Sequence, residues 1–354
     1  MQTYLNLILE NGQHYQGQTH DGYNDKVIGE VVFNTGMTGY EDTLTDPSYA
    51  GQILVFTYPL IGNYGVKVPE QLESGKIHVK AVICNISIEN NSHYESQQTF
   101  QDWLKQQKIP LITGIDTREL TKSLRKNGTM AGVISSQISD KGKRGFNGIE
   151  NIQPGGTDKV QYHGAGKYKI ILLDCGVKRN IIRHLLNFDV TIKQVPYNYD
   201  YTGEHYDGLL LSNGPGNPAD YTASIVILKK ALELDKPIFG ICLGSQLLGM
   251  AAGAKIHKLK FGHRGQNHPC QDQESLKCYL TAQNHSYTIS EGSIPAEWQV
   301  TFRHLHDGSI AGIKHVSKPF LAVQFHPEAA AGPNDTAFLF QEFFTQVIKG
   351  AQPV

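Results

Sequence analysis

Residues 237–250 read PIFGICLGSQLLGM: an apolar run, a cysteine held between two glycines, then an apolar pattern at helical spacing. The spacing predicts a short buried strand over 237–241 and a helix over 244–252, with Cys242 on the sharp turn between them. Gly240 and Gly244, two residues to either side, leave the backbone room for that turn. The same mechanics underlie the G-x-S-x-G nucleophile elbow of hydrolases, here with sulfur in place of oxygen. A thiol at a helix N-terminus feels the positive end of the helix dipole, which favours the nucleophilic thiolate. The competing reading is a buried core cysteine, because free Cys is among the most buried residue types.

Outward from the elbow, strands and helices alternate. From residue 168, YKIILLD reads as a strand, VKRNIIRHLLN as a helix, and DVTIKQV and YDGLLLSN as strands. ADYTASIVILKKALELD then reads as a helix leading into the 237–241 strand. Such alternation predicts an α/β domain, a mostly parallel sheet flanked by helices. Further short strands are expected near 254–261, 278–282, 298–303, 309–314 and 320–325, with a closing helix over about 335–349. Ligands of open α/β sheets collect at the carboxyl ends of the strands. Cys242, the loop at 213–218 and the segment after 325 all fall there.

The first 140 residues differ. They carry short β-branched or aromatic runs (LNLILENG, KVIGEVVFNTG, GQILVFTYPL, VKAVICNISI) separated by Gly, Asn, Asp and Pro turns. Two helical patterns interrupt them. One, over 96–107, has Phe100 and Leu104 at i, i+4; the other, over 117–127, has Leu120 and Leu124 and stops before Gly128. A smaller, β-rich N-terminal domain over 1–140 is therefore expected, then a Gly-, Lys- and Asn-rich linker over 141–167, then the α/β domain over 168–354. The linker contains HGAGKY, but a phosphate loop needs Gly where Gln161 stands and Ser or Thr where Tyr168 stands. No ATP site is read from it.

The chain of 354 residues is long enough for two cores, and its formal charge of −1 offers no electrostatic footprint for nucleic acid or an anionic membrane. Neither a secretion signal nor an apolar run of about 20 residues is present. Five cysteines without a C-x-x-C pair suit reduced thiols in the cytoplasm, and no metal site is expected.

A cysteine nucleophile needs a base, and the base usually needs a group to orient it. VQFHPEA at 323–329 offers both. Pro327 biases His326 towards an extended backbone, in which residues i and i+2 point the same way, so Glu328 can lie beside the His326 ring. SNGPGNP at 212–218 supplies Gly214 and Gly216, whose backbone can approach a ligand closely. One N–H there, with that of Leu243, would suit the oxyanion of a tetrahedral intermediate. An ordinary Asn-Gly-Pro-Gly turn is the alternative.

The order NGPG, GICLG-x-Q, HPE resembles the class I (triad) glutamine amidotransferases. The resemblance implies that Cys242 attacks the glutamine side-chain amide while His326, held by Glu328, takes and returns the proton. It also implies Gly214, Gly216, Leu243 and Gln246 as glutamine or oxyanion contacts. The likeness extends further. NTGMTGYEDTLTDPSYAGQILVFTYPLIGNYG (34–65), DCGVKRNI (174–181), GHRGQNHP (262–269), TAQNHSY (281–287) and HPEAAAGPND (326–335) resemble the small subunits of carbamoyl-phosphate synthetases. By that resemblance Ser48 reaches the glutamine site from the first domain, and Asn284, Ser286 and Tyr287 complete the grip on L-glutamine. It implies ammonia delivery to a large partner subunit in a heterodimer, which would carry the ATP and Mg²⁺ and make carbamoyl phosphate from bicarbonate. No cofactor is implied on this chain. An amidotransferase subunit of another synthetase and a non-catalytic regulatory subunit are the competing readings. The 34–65 segment argues against the first, and the intact Cys242, His326 and Glu328 argue against the second.

Two positions depart from the family pattern: Ser245 stands where histidine commonly follows CLG, and Ser286 where glycine often follows QNH. His257, His263, His268, His285 and His315 have no acidic partner at motif spacing and read as structural, with His268 and His285 candidates to back the site.

Overall fold

A computed structural model of the chain describes residues 3–19, 23, 25–136 and 152–351. These fall into two compact units that divide between Ile152 and Gln153. The part of the expected linker before residue 152 lies outside the described residues.

In the first unit β1 (Thr3–Leu9), β2 (His14–Thr19), β3 (Val27–Asn34), β4 (Gln52–Phe56), β6 (Ala81–Ile83), β8 (Leu111–Ile112) and β9 (Met130–Ser135) form one sheet in the order β2-β1-β9-β3-β4-β6-β8, while β5 (Leu60–Ile61) and β7 (Ile86–Ser87) pair separately. Three helices pack with them: α1 (Tyr40–Thr45), α2 (Phe100–Gln106) and α3 (Thr117–Asn127). α2 is shorter than its apolar pattern because Thr99 caps it, its hydroxyl accepting the Asp102 N–H at 3.1 Å. α3 runs over the residues its pattern predicts. Asp116 accepts the Glu119 N–H at 2.9 Å, and Leu120 and Leu124 are buried.

The second unit is built on ten strands: β10 (Gln161–His163), β11 (Tyr168–Asp174), β12 (Val190–Pro196), β13 (Gly208–Leu211), β14 (Ile238–Ile241), β15 (Ile256–Asp272), β16 (Cys278–Ile289), β17 (Trp298–His304), β18 (Ile310–His315) and β19 (Phe320–Val323). Their order is β10-β12-β11-β13-β14-β19-β18-β17-β15-β16. The run from β12 to β19 is parallel, and the strands on either side of it are antiparallel, so the sheet is mixed. Its helices are α4 (Arg179–Leu185), α5 (Thr222–Ala231), α6 (Leu243–Ala252) and α7 (Phe338–Gly350). The period of two sorts the parallel strands onto two cores. Ile171, Leu173, Leu209 and Leu211 pack with residues of α5 and α6, whereas Ile170, Leu172, Leu210 and Phe239 pack with residues of α4 and α7. Burial on both faces is why these strands read as continuous apolar runs.

Three expectations change, the first being β16, expected over 278–282, which runs on to Ile289. Residues 161–163, placed in the linker, form an edge strand antiparallel to β12; their side chains are mostly exposed, so no apolar signal marks them. β15, expected to end near 261, continues to Asp272. Gly262 and Gly265 read as turn residues, but shifts of register between Lys258 and His263 and between Gly265 and His268 absorb them within the strand, and Pro269 sits in regular register opposite Leu280. Among the described residues no helix is long and apolar enough to cross a membrane.

Candidate active site

β14 ends at Ile241 and α6 starts at Leu243, which leaves Cys242 alone on the turn, at φ 55° and ψ −105°. A non-glycine residue at positive φ is strained, and the neighbours hold this one in place. The Cys242 N–H donates to Val323 O of β19 at 2.8 Å, and the Gly244 N–H donates to Ser212 O at 3.0 Å. The two flanking glycines are needed for close approach. A Cβ on Gly244 would stand 2.2 Å from Leu211 O, and one on Gly240 2.8 Å from Gly244 O. The turn expected from the sequence is present, with the unusual φ on the cysteine itself.

The His326 N–H donates to Ala282 O at 2.9 Å, joining the segment after β19 to β16. As the spacing predicts, Glu328 faces the His326 ring, with Oε1 2.6 Å from Nδ1. Both side chains are buried, and His326 Nε2 has no hydrogen-bond partner among the described residues. Burial opposes charge on the ring, yet the Glu328 carboxylate and the neighbouring Cys242 sulfur outweigh it and raise the His326 pKa above the ordinary histidine value. Burial also opposes charge on Glu328, but Lys178 and His326 together hold its pKa below the usual carboxylate value. A carboxylate on Nδ1 fixes the tautomer and leaves Nε2 to exchange the proton.

Lys178 is the residue that sequence reasoning missed. Its Nζ lies 3.0 Å from Glu328 Oε1 and donates to Ala329 O at 2.5 Å, and it is as buried as the carboxylate. It lies within DCGVKRNI, and nothing local marks a buried lysine whose partner is 150 residues away. Asn180 Nδ2 also donates to Glu328 O, so the start of α4 grips the glutamate at two points.

Gly214 and Gly216 lie in the loop after β13. A Cβ on Gly214 would meet Cys175 O at 2.2 Å and Leu243 Cδ2 at 2.8 Å, so the loop is packed against the first residue of α6. Gly216 has φ 87°, a conformation that favours glycine. Gln246 Nε2 donates to Tyr287 O at 2.8 Å and to Gln324 Oε1 at 3.1 Å. Asn284 turns its carbonyl to the Cys242 thiol, at 3.6 Å. Ser286 is not among the residues at positive φ, and its hydroxyl accepts from Arg264 at 2.5 Å. Glycine is thus not required there for backbone reasons. Ser245 is buried in the first turn of α6. The structure therefore brings Cys242, His326, Glu328, Gly214, Leu243, Gln246, Asn284 and Tyr287 into one neighbourhood. Ser48 belongs to the first unit, buried in a 3-10 turn (Pro47–Tyr49) where Asp46 Oδ1 accepts its N–H at 2.9 Å.

Residues 171–346 match the family model of glutamine amidotransferase class-I, and residues 7–134 match that of the carbamoyl-phosphate synthase small chain, CPSase domain. Over 352 residues the chain is 42% identical to a carbamoyl phosphate synthase small chain of Listeria monocytogenes, a match that covers 95% of each. The chain belongs to the carbamoyl-phosphate synthase small-chain family. A second small chain, from Clostridium perfringens, is 42% identical over 348 residues, 95% of this chain and 97% of that one. The multifunctional protein pyr1-3 of Dictyostelium discoideum is 42% identical over 373 residues, but there the match takes in 96% of this chain and only 17% of the relative. The small-chain fold thus occurs both as a chain of this size and as a small part of a longer one.

Proposed function

We propose that the chain hydrolyses glutamine and hands the ammonia to an ATP-using large subunit of a carbamoyl-phosphate synthase. The observation that carries this reading is Cys242, strained on its turn, beside a histidine whose charge is stabilised from both sides. The Cys242 sulfur adds to the Cδ carbonyl of glutamine, and N–H groups of the Gly214 loop and Leu243 receive the oxyanion. His326 gives its proton to the departing nitrogen as the C–N bond breaks, which leaves a thioester and ammonia. His326 then takes a proton from water, whose oxygen displaces the sulfur to give glutamate and the free thiol. Gln246, Asn284, Ser286, Tyr287 and Gly216 are assigned to glutamine. Carbamoyl phosphate formation from bicarbonate consumes ATP, and those steps with their Mg²⁺ are assigned to the large subunit. A cytoplasmic location fits five cysteines that are all free thiols.

Cys242→Ala tests the reading in the reconstituted complex. Glutamine-dependent carbamoyl phosphate synthesis should fall by a factor on the order of 10⁴ or more, while synthesis from added ammonia persists. Loss of both activities would make the cysteine structural, and loss of neither would end the mechanism.

A further inference from the structure

Away from the catalytic cysteine, four histidines and an aspartate converge where β15 meets the turn between β17 and β18. His268 lies on β15, His304 is the last residue of β17, and His306 and Asp307 are in the turn. Nδ1 of His268 and Nε2 of His304 face each other at 2.9 Å. The ring of His263 stacks on that of His304 with centroids 4.0 Å apart and planes 8° from parallel. One donor atom from each of His268, His304 and His306 falls within 4.8 Å of the others, and the same holds for His263, His304 and Asp307.

The hydrogen bonds decide between the two overlapping sets. Asp307 is occupied: Oδ2 receives His263 Nε2 at 2.8 Å, and Oδ1 receives the N–H and hydroxyl of Ser309 at 3.0 and 2.7 Å. His263 is occupied too, with Nδ1 3.2 Å from Nε2 of His285. The other set is open. The facing nitrogens of His268 and His304 are joined to each other, and His306 is exposed, which gives water a way in. Between Nδ1 of His268 and Nε2 of His304 at most one proton fits, and a cation can take its place.

We propose that His268, His304 and His306 bind one zinc-class divalent ion, with water as the fourth ligand and Asp307 as the carboxylate that orients His304. Three imidazoles without a thiolate select zinc, cobalt, nickel or copper over magnesium or calcium. A tetrahedral site with Zn–N of about 2.0–2.1 Å sets its nitrogens ~3.3 Å apart, so the 2.9 Å pair must open by only a few tenths of an ångström. Nδ1 of His304 accepts the His306 N–H at 3.2 Å and stands 3.3 Å from Asp307 Oδ1; with a cation on Nε2 the ring proton moves to Nδ1, where the carboxylate accepts it. The backbone is already set: the His304 N–H donates to Ser309 O and the Leu305 N–H to Pro269 O, each at 2.9 Å. His304-x-His306 carries no thiolate, and its third partner, His268, is distant in the sequence, so no local pattern marks a metal site.

The test uses the purified full chain, stripped with a chelator, then titrated with Zn²⁺ against a chromogenic competitor and with Co²⁺ by absorption. One equivalent should bind, and Co²⁺ should give the d–d bands of a tetrahedral nitrogen site. The same stoichiometry should persist in Cys242→Ala, which removes the other thiol–imidazole site a metal might use. His306→Ala, at an exposed position, should weaken binding more than the roughly 10–100-fold expected of Asp307→Asn. Binding that is absent in the parent chain, that survives His306→Ala and His304→Gln unchanged, or that vanishes in Cys242→Ala would overturn the site. A circular dichroism spectrum of each variant separates loss of a ligand from loss of the fold, and His306→Ala alone suffices should His304→Gln not fold.

Discussion

Two buried histidines of the unit from Gln153 onward, His326 and His304, each have a carboxylate beside them, and they behave in opposite ways. His326 and Glu328 are two residues apart, both fully enclosed, and the histidine is pulled towards its charged form. His304 is also enclosed and also has a carboxylate nearby, Asp307, yet burial wins and its pKa is lowered. The difference lies in what stands behind each acid. Glu328 is buried and backed by Lys178, with the Cys242 sulfur adding to its pull on the ring. Asp307 is partly exposed, shared with His263 and Ser309, and faced by other imidazoles that repel a second charge. The first pair is suited to hold and pass a proton, the second to offer neutral nitrogen donors.

The largest break in this comparison should come from Glu328→Gln. It removes the charge that holds the His326 proton and leaves Lys178 without its partner, so glutamine hydrolysis should fall by a factor on the order of 10²–10⁴. Ammonia-dependent synthesis in the complex should survive, and a pH–rate profile of the residual activity should move its histidine limb to lower pH. An unchanged profile would mean that Glu328 does not set the proton affinity of His326.

A smaller effect separates the pairs in stability. His326 is raised, so its contribution is complete below the unfolded value of 6.5 and is lost as pH climbs through the raised folded value. His268 is lowered from 6.5 to about 3, so its contribution is complete above 6.5 and is lost as pH falls towards 3. In His268→Gln, with a chelator present, urea midpoints between about pH 7 and about pH 4 should fall less steeply than in the parent, while the alkaline limb stays the same. An acid limb as steep as the parent's would remove the histidine cluster from the account.

The smallest effect expected is that of Asp307→Asn on glutamine hydrolysis, which should be none. A loss comparable to that of Glu328→Gln would show that the two carboxylates serve one site.

The same contrast explains what was legible in the sequence. Cys242 with its two glycines, and His326 with Glu328, are arrangements of near neighbours, so strand and turn geometry alone foretell how the side chains lie. The alternation of apolar runs foretold the parallel core because those strands are buried on both faces. Lys178–Glu328 and His263–Asp307 are joined only by the fold, across 150 and 44 residues, and no local pattern announces them. The length of β15 was hidden differently: glycines that usually end strands here sit at irregularities within one. The role expected of Ser48 rests on family likeness alone.

The strand at Gln161–His163 has a consequence for anyone dissecting the chain. It is three residues long, mostly exposed and covers the outer edge of β12, as a short polar guard does on a sheet that would otherwise recruit other chains. Upstream of it, the Thr157 N–H donates to Asp174 at the end of β11 at 2.8 Å. A fragment begun at Tyr168, where the apolar pattern first becomes obvious, would lose both and expose the open edge of β12. One begun at Gln153 keeps them, whereas a cut made by hydrophobicity alone leaves an open strand edge that can template aggregation.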